Sequence, residues 1–234
     1  MVKWKYRPYQ RGLIAKSNDH PTPPALSSWI YHTVAPFHRH TKPVVLDPAC
    51  GNGALLSPWA SGGWHTHGVD IKQPATRHVI HDFWKFDFCD TKIFAVYDHQ
   101  PSVVVCNPPF TNSPVVDGVK MMYPEVFARV IFHRYGDTVP LVMIVPAGFR
   151  HNVSCSSRRY NWLANEAPPI TTIVSLPVDT FNGVQFHSEI VMFNIHGLPP
   201  HMTLPRHILV HLIPEQKRAA YLEKSNAGNH PAAC

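Results

Sequence analysis

The sequence predicts an α/β domain built on a mostly parallel sheet with helices on both faces. Three features carry that expectation. Apolar runs such as Val103–Val105 and Val139–Val145 lack the in–out alternation of a half-solvated strand, so they read as strands covered on both sides. Two runs stop abruptly in rigid or glycine-rich loops: Asp47-Pro48-Ala49-Cys50-Gly51-Asn52-Gly53 after one, Asn107-Pro108-Pro109-Phe110 after the other. Segments with apolar residues at helical spacing lie between such runs, which is the pattern of βαβ units.

The 234 residues fit one such domain with small additions, and the reading divides the chain into 1–19, 20–198 and 199–234. The net charge of +6 favours a polyanionic partner without requiring one. Residues 1–16 carry Lys3, Lys5, Arg7, Arg11 and Lys16 with no acid, and Trp4, Tyr6 and Tyr9 are interleaved. Such an arm suits phosphate tracking and base stacking, or equally a solvated terminus. The five scattered cysteines (Cys50, Cys89, Cys106, Cys155, Cys234) form no CxxC pair, so reduced thiols and an intracellular, cytoplasmic setting are expected. No apolar run is long enough to span a bilayer, and no membrane partner is expected. Among the seventeen histidines, pairs such as His38/His40 and His65/His67 lack a Cys or carboxylate at zinc spacing, so no metal site is expected.

Taken in order, His20-Pro21-Thr22-Pro23-Pro24 forms a rigid lead-in to a helix over Ala25–Val34, whose Leu26, Trp29, Ile30 and Val34 face the sheet. The first strand, Pro43–Leu46, ends in the glycine turn. There Gly51 and Gly53 let backbone approach a ligand, but Leu56 stands where a dinucleotide fingerprint has its third glycine. Asp47 would repel a pyrophosphate and attract a cation, so a ligand with an ammonium or sulfonium centre fits better than NAD. Pro58 makes the next helix short or late. Asp70, at the tip of a second strand over 67–71, is placed to accept from a ribose diol.

A short third strand is expected over His78–Ile80, with Asp82-Phe83 just beyond it. That pair reads either as an acceptor and cover for an adenine or as a helix cap followed by core aromatics. The fourth strand, Val103–Cys106, meets Asn107-Pro108-Pro109-Phe110. The Asn107 amide oxygen, the loop carbonyls and the Phe110 ring suit a planar ring bearing an NH2 group, though an ordinary Asn-Pro turn has the same residues. A helix follows over Pro124–Tyr135, stopped by Gly136, then strand Val139–Val145 and a helix over Ser156–Ala167. Strands Thr171–Leu176 and Ile190–Ile195 close the sheet at seven, and the short stretch between them suits an antiparallel connection better than a crossover helix. A helical piece over Glu215–Lys224 and a disordered end from Ser225 complete the reading.

The order and spacing of these motifs resemble the class I, Rossmann-like S-adenosylmethionine-dependent methyltransferases, most closely the N6-adenine DNA methyltransferases of the gamma motif order. Thr22-Pro23 is similar to the amino-terminal motif of that group, the Asp47–Gly53 run to its cofactor loop, Asp70 to its ribose-binding acid, Asp82-Phe83 to its adenine-contacting pair and Asn107–Phe110 to its catalytic motif. Ile144–Phe149 and Leu176–Phe181 match later motifs, and the likeness spans roughly residues 20–197.

The resemblance implies catalysis by Asn107, Pro108, Pro109 and Phe110. It implies S-adenosylmethionine contacts from Thr22, Pro23, Asp47, Pro48, Ala49, Cys50, Gly51, Gly53, Asp70, Ile71, Asp82, Phe83 and Asn107. Phe181, or less favourably Phe186, would close the second face of the base, and the enzyme would be of bacterial or phage type. Ser188 stands where relatives often have Thr. The group usually has a large target-recognition domain, whereas a short tail follows here. Target reading then falls to loops or a partner chain, with Arg150, His151, Arg158, Arg159 and Tyr160 as candidate DNA contacts or as a merely solvated loop. Competing readings are an RNA adenine methyltransferase, a protein glutamine methyltransferase and a catalytically idle scaffold subunit, with DNA favoured over RNA.

Overall fold

The computed structural model of the protein describes residues 6–7, 20–38, 41–90, 92, 97–110, 114–151, 154, 156–181, 186–213, 218–219 and 222. In chain order the elements are β1 (Tyr6–Arg7), α1 (Pro24–Val34), β2 (Val44–Asp47), α2 (Ser57–Ser61), β3 (His65–Asp70), β4 (Asp82–Lys85), β5 (Val103–Cys106), β6 (Val115–Val116), β7 (Val119–Lys120), α3 (Tyr123–Tyr135), β8 (Leu141–Pro146), α4 (Arg158–Asn165), β9 (Ile170–Ser175), β10 (Ser188–Phe193), β11 (His201–Thr203) and α5 (Arg206–Leu212). The main sheet has eight strands in the order β11-β9-β10-β8-β5-β2-β3-β4. Only β10 opposes the rest, pairing antiparallel with both β8 and β9.

The alternation hidden inside the continuous apolar runs distributes them between two cores. Val103 and Val105 face one core with Leu26, Ile30 and Val34 of α1, Trp59 of α2 and Leu212 of α5. Val104 and Cys106 face the other with Val126, Val130 and Ile131 of α3 and Trp162 of α4. The expected α/β architecture with helices on both faces is therefore present. Proline stands in the first turn of both α1 and α2, and α2 ends after five residues at Gly62-Gly63, the latter at φ 81°. Among the described residues, no helix is long and apolar enough to cross a membrane.

Two expectations change and one element is added. The sheet has an eighth strand, because Pro200 O accepts from Ile173 N at 2.9 Å and leads β11 into parallel register with β9. The third strand is not His78–Ile80 but Asp82–Lys85. Val79 and Ile80 are buried as a loop under the glycine turn, where a Cβ on Gly53 would stand 2.6 Å from Val79 Cγ2. Finally, a hairpin over 115–120 turns on Asp117-Gly118, both at positive φ (50° and 80°), and pairs antiparallel with β1 of the basic arm. The rest of that arm, and the expected helix over Glu215–Lys224 apart from residues 218, 219 and 222, lie outside the described residues.

Candidate active site

The carboxyl ends of β2, β3 and β5 bring together Asp47, Asp70 and Asn107. Asp47 is buried at the end of β2, and its Oδ1 accepts from Ala49 N at 3.0 Å. Burial, helped by the nearby negative Asp70, lifts its pKa to about 8. A buried carboxyl that is costly to ionise becomes favourable to ionise beside a cation. Gly51 and Gly53 take positive φ (50° and 81°), and the turn closes through Gly53 N to Cys50 O at 2.7 Å.

Asp70 does more than its sequence position announces. Its Oδ2 accepts from Gly51 N at 2.9 Å and its Oδ1 from Lys72 N at 2.8 Å, so it ties the glycine turn to β3 while each oxygen keeps a lone pair for a ligand. Ile71 beside it is 46% exposed, an apolar face at the same edge. Asn52, unread from sequence, accepts from Ala75 N at 2.8 Å and tethers the turn to the next loop. Burial pushes the Cys50 and Cys106 thiols well up, so they pack rather than react.

Asn107 carries the most informative geometry. Its Nδ2 donates to Thr22 Oγ1 at 3.1 Å and to His20 O at 3.3 Å. A backbone carbonyl only accepts, so the amide NH2 must face His20, and Oδ1 is left to accept from a ligand. Thr22, grouped by motif with the cofactor residues, thus orients the catalytic-motif amide, as does His20, which sequence reasoning passed over. Pro108 is buried and Pro109 exposed, so the loop is held on one side and open on the other.

Phe110 is half-buried and meets Phe186 edge-on at a centroid distance of 5.0 Å, with Phe181 further off at 6.5 Å. Phe181 and Phe186 stack at 5.7 Å, and Phe181 is only 3% exposed. Phe181 is thus the inner ring, and Phe186 is the more accessible one beside Phe110.

Asp82-Phe83 is likewise corrected. Asp82 opens β4 rather than ending a strand, in register with His67, whereas Asp70 pairs with Lys85. Three residues of strand, ~10 Å, separate that level from the carboxyl edge. Phe83 packs under Arg77 at 4.7 Å. The residues that follow β4 at the carboxyl edge are Phe86, whose N donates to Asp70 O at 2.9 Å, and Asp87, whose Oδ1 accepts from Cys89 N at 3.0 Å. The sequence pattern puts the strand boundary too early because Val79-Ile80 mimics a strand.

The basic loop is also less free than its composition implied. Arg150 donates through Nε and Nη2 to both carboxylate oxygens of buried Glu189, each at 2.7 Å. Arg159 donates to Gly148 O at 3.1 Å and stands 3.9 Å from buried Glu125. These two are internal struts, while Arg158, His151 and Tyr160 stay exposed. A cavity of about 340 Å³ lined by Pro24, Ser27, Asn52, Gly53, Ser57 and His78 flanks the glycine turn but includes neither Asp70 nor Asn107.

The expectation that His65/His67 lack a carboxylate does not survive folding. Asp82 Oδ2 lies 2.6 Å from His65 Nε2 and 3.5 Å from His67 Nε2, across the neighbouring strand. Burial holds His67 near a pKa of 4, and hydrogen bonding to His65 holds the Asp82 carboxyl below the usual range.

No protein-family model matches the chain, and no curated protein matches it by sequence. Solved structures do match in fold. A protein described as a modification subunit of a type I restriction enzyme from Vibrio vulnificus aligns over 93% of this chain and 54% of its own, at 14% identity and TM-score 0.61. A protein from Listeria monocytogenes described as a class I S-adenosylmethionine-dependent methyltransferase aligns over 90% and 72%, at 14% identity and TM-score 0.59. The structure of a DrdV–DNA complex aligns over 91% and 30%, at 9% identity and TM-score 0.55. The chain thus has the class I methyltransferase fold. It spans about half the length of the Vibrio subunit.

Proposed function

We propose that the protein transfers a methyl group from S-adenosylmethionine to the exocyclic N6 amine of adenine in DNA, with the target base flipped out of the duplex. The observation that carries this reading is the clamped Asn107 amide, with His20 and Thr22 on its NH2 and its oxygen left to accept.

The cofactor edge fits that group. Asp47 is a buried carboxyl that a cation would ionise, Asp70 has lone pairs for a ribose diol, and the Gly51–Gly53 backbone admits close approach. Bound there, S-adenosylmethionine supplies an electrophilic methyl group on a sulfonium. An adenine amine is a weak nucleophile because its lone pair is delocalised into the ring. Asn107 Oδ1 and the Pro108 carbonyl would accept its two N–H bonds, favour a pyramidal nitrogen and stabilise the positive charge that develops as the N–CH3 bond replaces the S–CH3 bond, until one of those protons is lost to water. The prolines hold that carbonyl still, so little reorganisation accompanies reaction. Phe110 and Phe186 give the flipped base its apolar faces. The fold neighbours support the reading, since one is described as a restriction-enzyme modification subunit and another as a complex with DNA. Sequence recognition falls to Arg158 and neighbouring loops or to a partner chain.

The test is to offer methyl-labelled cofactor with DNA, RNA and protein side by side, followed by nucleoside mass spectrometry. N6-methyladenine in DNA is expected. Label confined to RNA or to protein glutamine overturns the substrate, and no transfer at all supports the idle scaffold.

A further inference from the structure

At the edge of the sheet opposite the cofactor turn, the fold gathers a cluster that the methyl-transfer reading does not use. His65 and His67 alternate on β3 and therefore project from the same face. Asp82, the first residue of β4, stands in register with His67 and so projects from that face too. The three donor atoms, one from each side chain, lie within 4.8 Å of one another. We propose that His65, His67 and Asp82 bind a divalent cation of the zinc class, which clamps β4 onto β3.

The donor spacing supports this assignment. Zinc–nitrogen and zinc–oxygen bonds of about 2.0–2.1 Å in tetrahedral geometry need donors ~3.3 Å apart. The His67 Nε2 to Asp82 Oδ2 distance of 3.5 Å already meets that requirement. The 2.6 Å contact between His65 Nε2 and Asp82 Oδ2 opens by less than about 1 Å to admit the ion, an adjustment that half-exposed side chains make easily. Two imidazoles and one carboxylate select borderline cations such as Zn2+ or Co2+ over the oxygen-seeking Mg2+ and Ca2+. The fourth position is left for water.

The surroundings also hold the ligands in place. His67 is 2% exposed, and its second ring nitrogen, Nδ1, lies 3.0 Å from the hydroxyl of fully buried Tyr97. With Nε2 on a metal, Nδ1–H donates to that hydroxyl, which fixes the ring orientation as an outer partner does in established metal sites. His65 is steadied by stacking on His81 at a centroid distance of 4.8 Å. His81 is in turn fixed by its Nδ1 contact with Thr66 Oγ1 at 2.7 Å.

The clamp has a mechanical purpose. The strand β4 is four residues long, forms the sheet margin and, among the described residues, pairs only with β3. It leads directly into Phe86, whose N–H bonds to Asp70 O, so the position of β4 bears on the cofactor edge. The ion lies ~10 Å of strand away from that edge, clear of the reacting atoms, so its role is to hold β4 in place.

The test uses the full chain, stripped with chelator and dialysed. Zn2+ is titrated by calorimetry and by thermal unfolding, and Co2+ by visible absorption. One equivalent bound per chain, the intense absorption of tetrahedral Co2+ and a Tm raised by several degrees are expected. His65→Ala and Asp82→Asn, both changes at half-exposed positions, should abolish uptake and the Tm gain. The exposed His196→Ala should preserve both. Stripped protein should retain its methyl transfer at moderate temperature if it has any, so failure of the substrate reading leaves this assay intact. Uptake unchanged in His65→Ala and Asp82→Asn, or no saturable uptake in the parent, overturns the site.

Discussion

The strands β2, β3 and β4 present acids at both of their ends, and the two ends use them differently. At the carboxyl edge, Asp47 accepts from Ala49 N and Asp70 from Gly51 N, both in the turn after β2, and Asp70 accepts from Lys72 N as well. At the amino edge, Asp82 is held by side chains from a different strand, His65 and His67. Acids anchored by backbone stay put whatever the side chains around them do, which suits a site that must present fixed lone pairs to a ligand. Acids anchored by imidazoles can exchange those partners for a cation. The difference teaches that charge alone does not define a site on this sheet: what the carboxylate is tied to decides what it can do.

The largest expected effect tests whether the carboxyl edge is the reacting one. Asn107→Ala should lower the methyl-transfer rate by roughly 10²–10³, the usual cost of losing one preorganised polar group at a developing charge. Cofactor affinity, read by calorimetry, should barely change, because the Asn107 oxygen addresses the target amine. A fully active Asn107→Ala protein would move the chemistry elsewhere. Next, Asp70→Ala removes the acceptor of both Gly51 N and Lys72 N. It should weaken cofactor binding by about 1–3 kcal/mol through the unpaired groups it leaves. Unchanged affinity would detach Asp70 from the cofactor.

These two predictions rest on residues that were legible in the sequence, and the reason is local. The turn after β2 and the loop after β5 are each one short run of chain, so their chemistry appears as adjacent letters. What sequence reading missed is built across strands. The sequence pattern puts Asp82 at the carboxyl edge because Val79-Ile80 looks like a strand, yet those residues are buried by filling the space under Gly53. Pairing then carries Asp82 to the amino edge and into contact with His65 and His67, whose spacing had seemed to lack a carboxylate. Arg150 likewise reads as a candidate DNA contact or a solvated loop residue, because its partner Glu189 lies far along the chain on β10. The hairpin over 115–120 was within reach, since Asp117-Gly118 between valines is a strong local turn signal.

Protonation sharpens the comparison further. Without a ligand, folded Asp47 keeps its proton to about pH 8, whereas an unfolded aspartate loses it near 4. Between those values the folded state binds the extra proton, so stability falls as pH rises through the window and changes little above about 8 from this group. A cationic ligand beside the carboxylate reverses the preference. Cofactor affinity should therefore rise with pH up to about 8, by at most about tenfold per unit, with proton release detectable as a dependence of binding enthalpy on buffer. Asp47→Asn should flatten that profile. A pH-independent affinity in the parent would mean that Asp47 does not face the cation.

The smallest effect separates two arginines of one loop. Arg158 is exposed, while Arg150 is locked to Glu189 through two 2.7 Å bonds. If the loop touches a phosphate, Arg158→Ala should weaken DNA binding several-fold and reduce the log–log salt slope by about 0.9, one contact's worth of released counterion. Its Tm should not move, since no buried group loses a partner. Arg150→Ala should do the reverse, lowering Tm by stranding a carboxylate that is 5% exposed while leaving the salt slope alone. Glu189→Gln in the Arg150→Ala background should restore part of the lost stability by removing the stranded charge. Measuring both properties on both variants decides the matter, because a strut and a phosphate contact cannot give the same pair of results. Equal salt slopes for the parent and Arg158→Ala would leave this loop outside the DNA interface and shift the search for phosphate contacts to the basic arm.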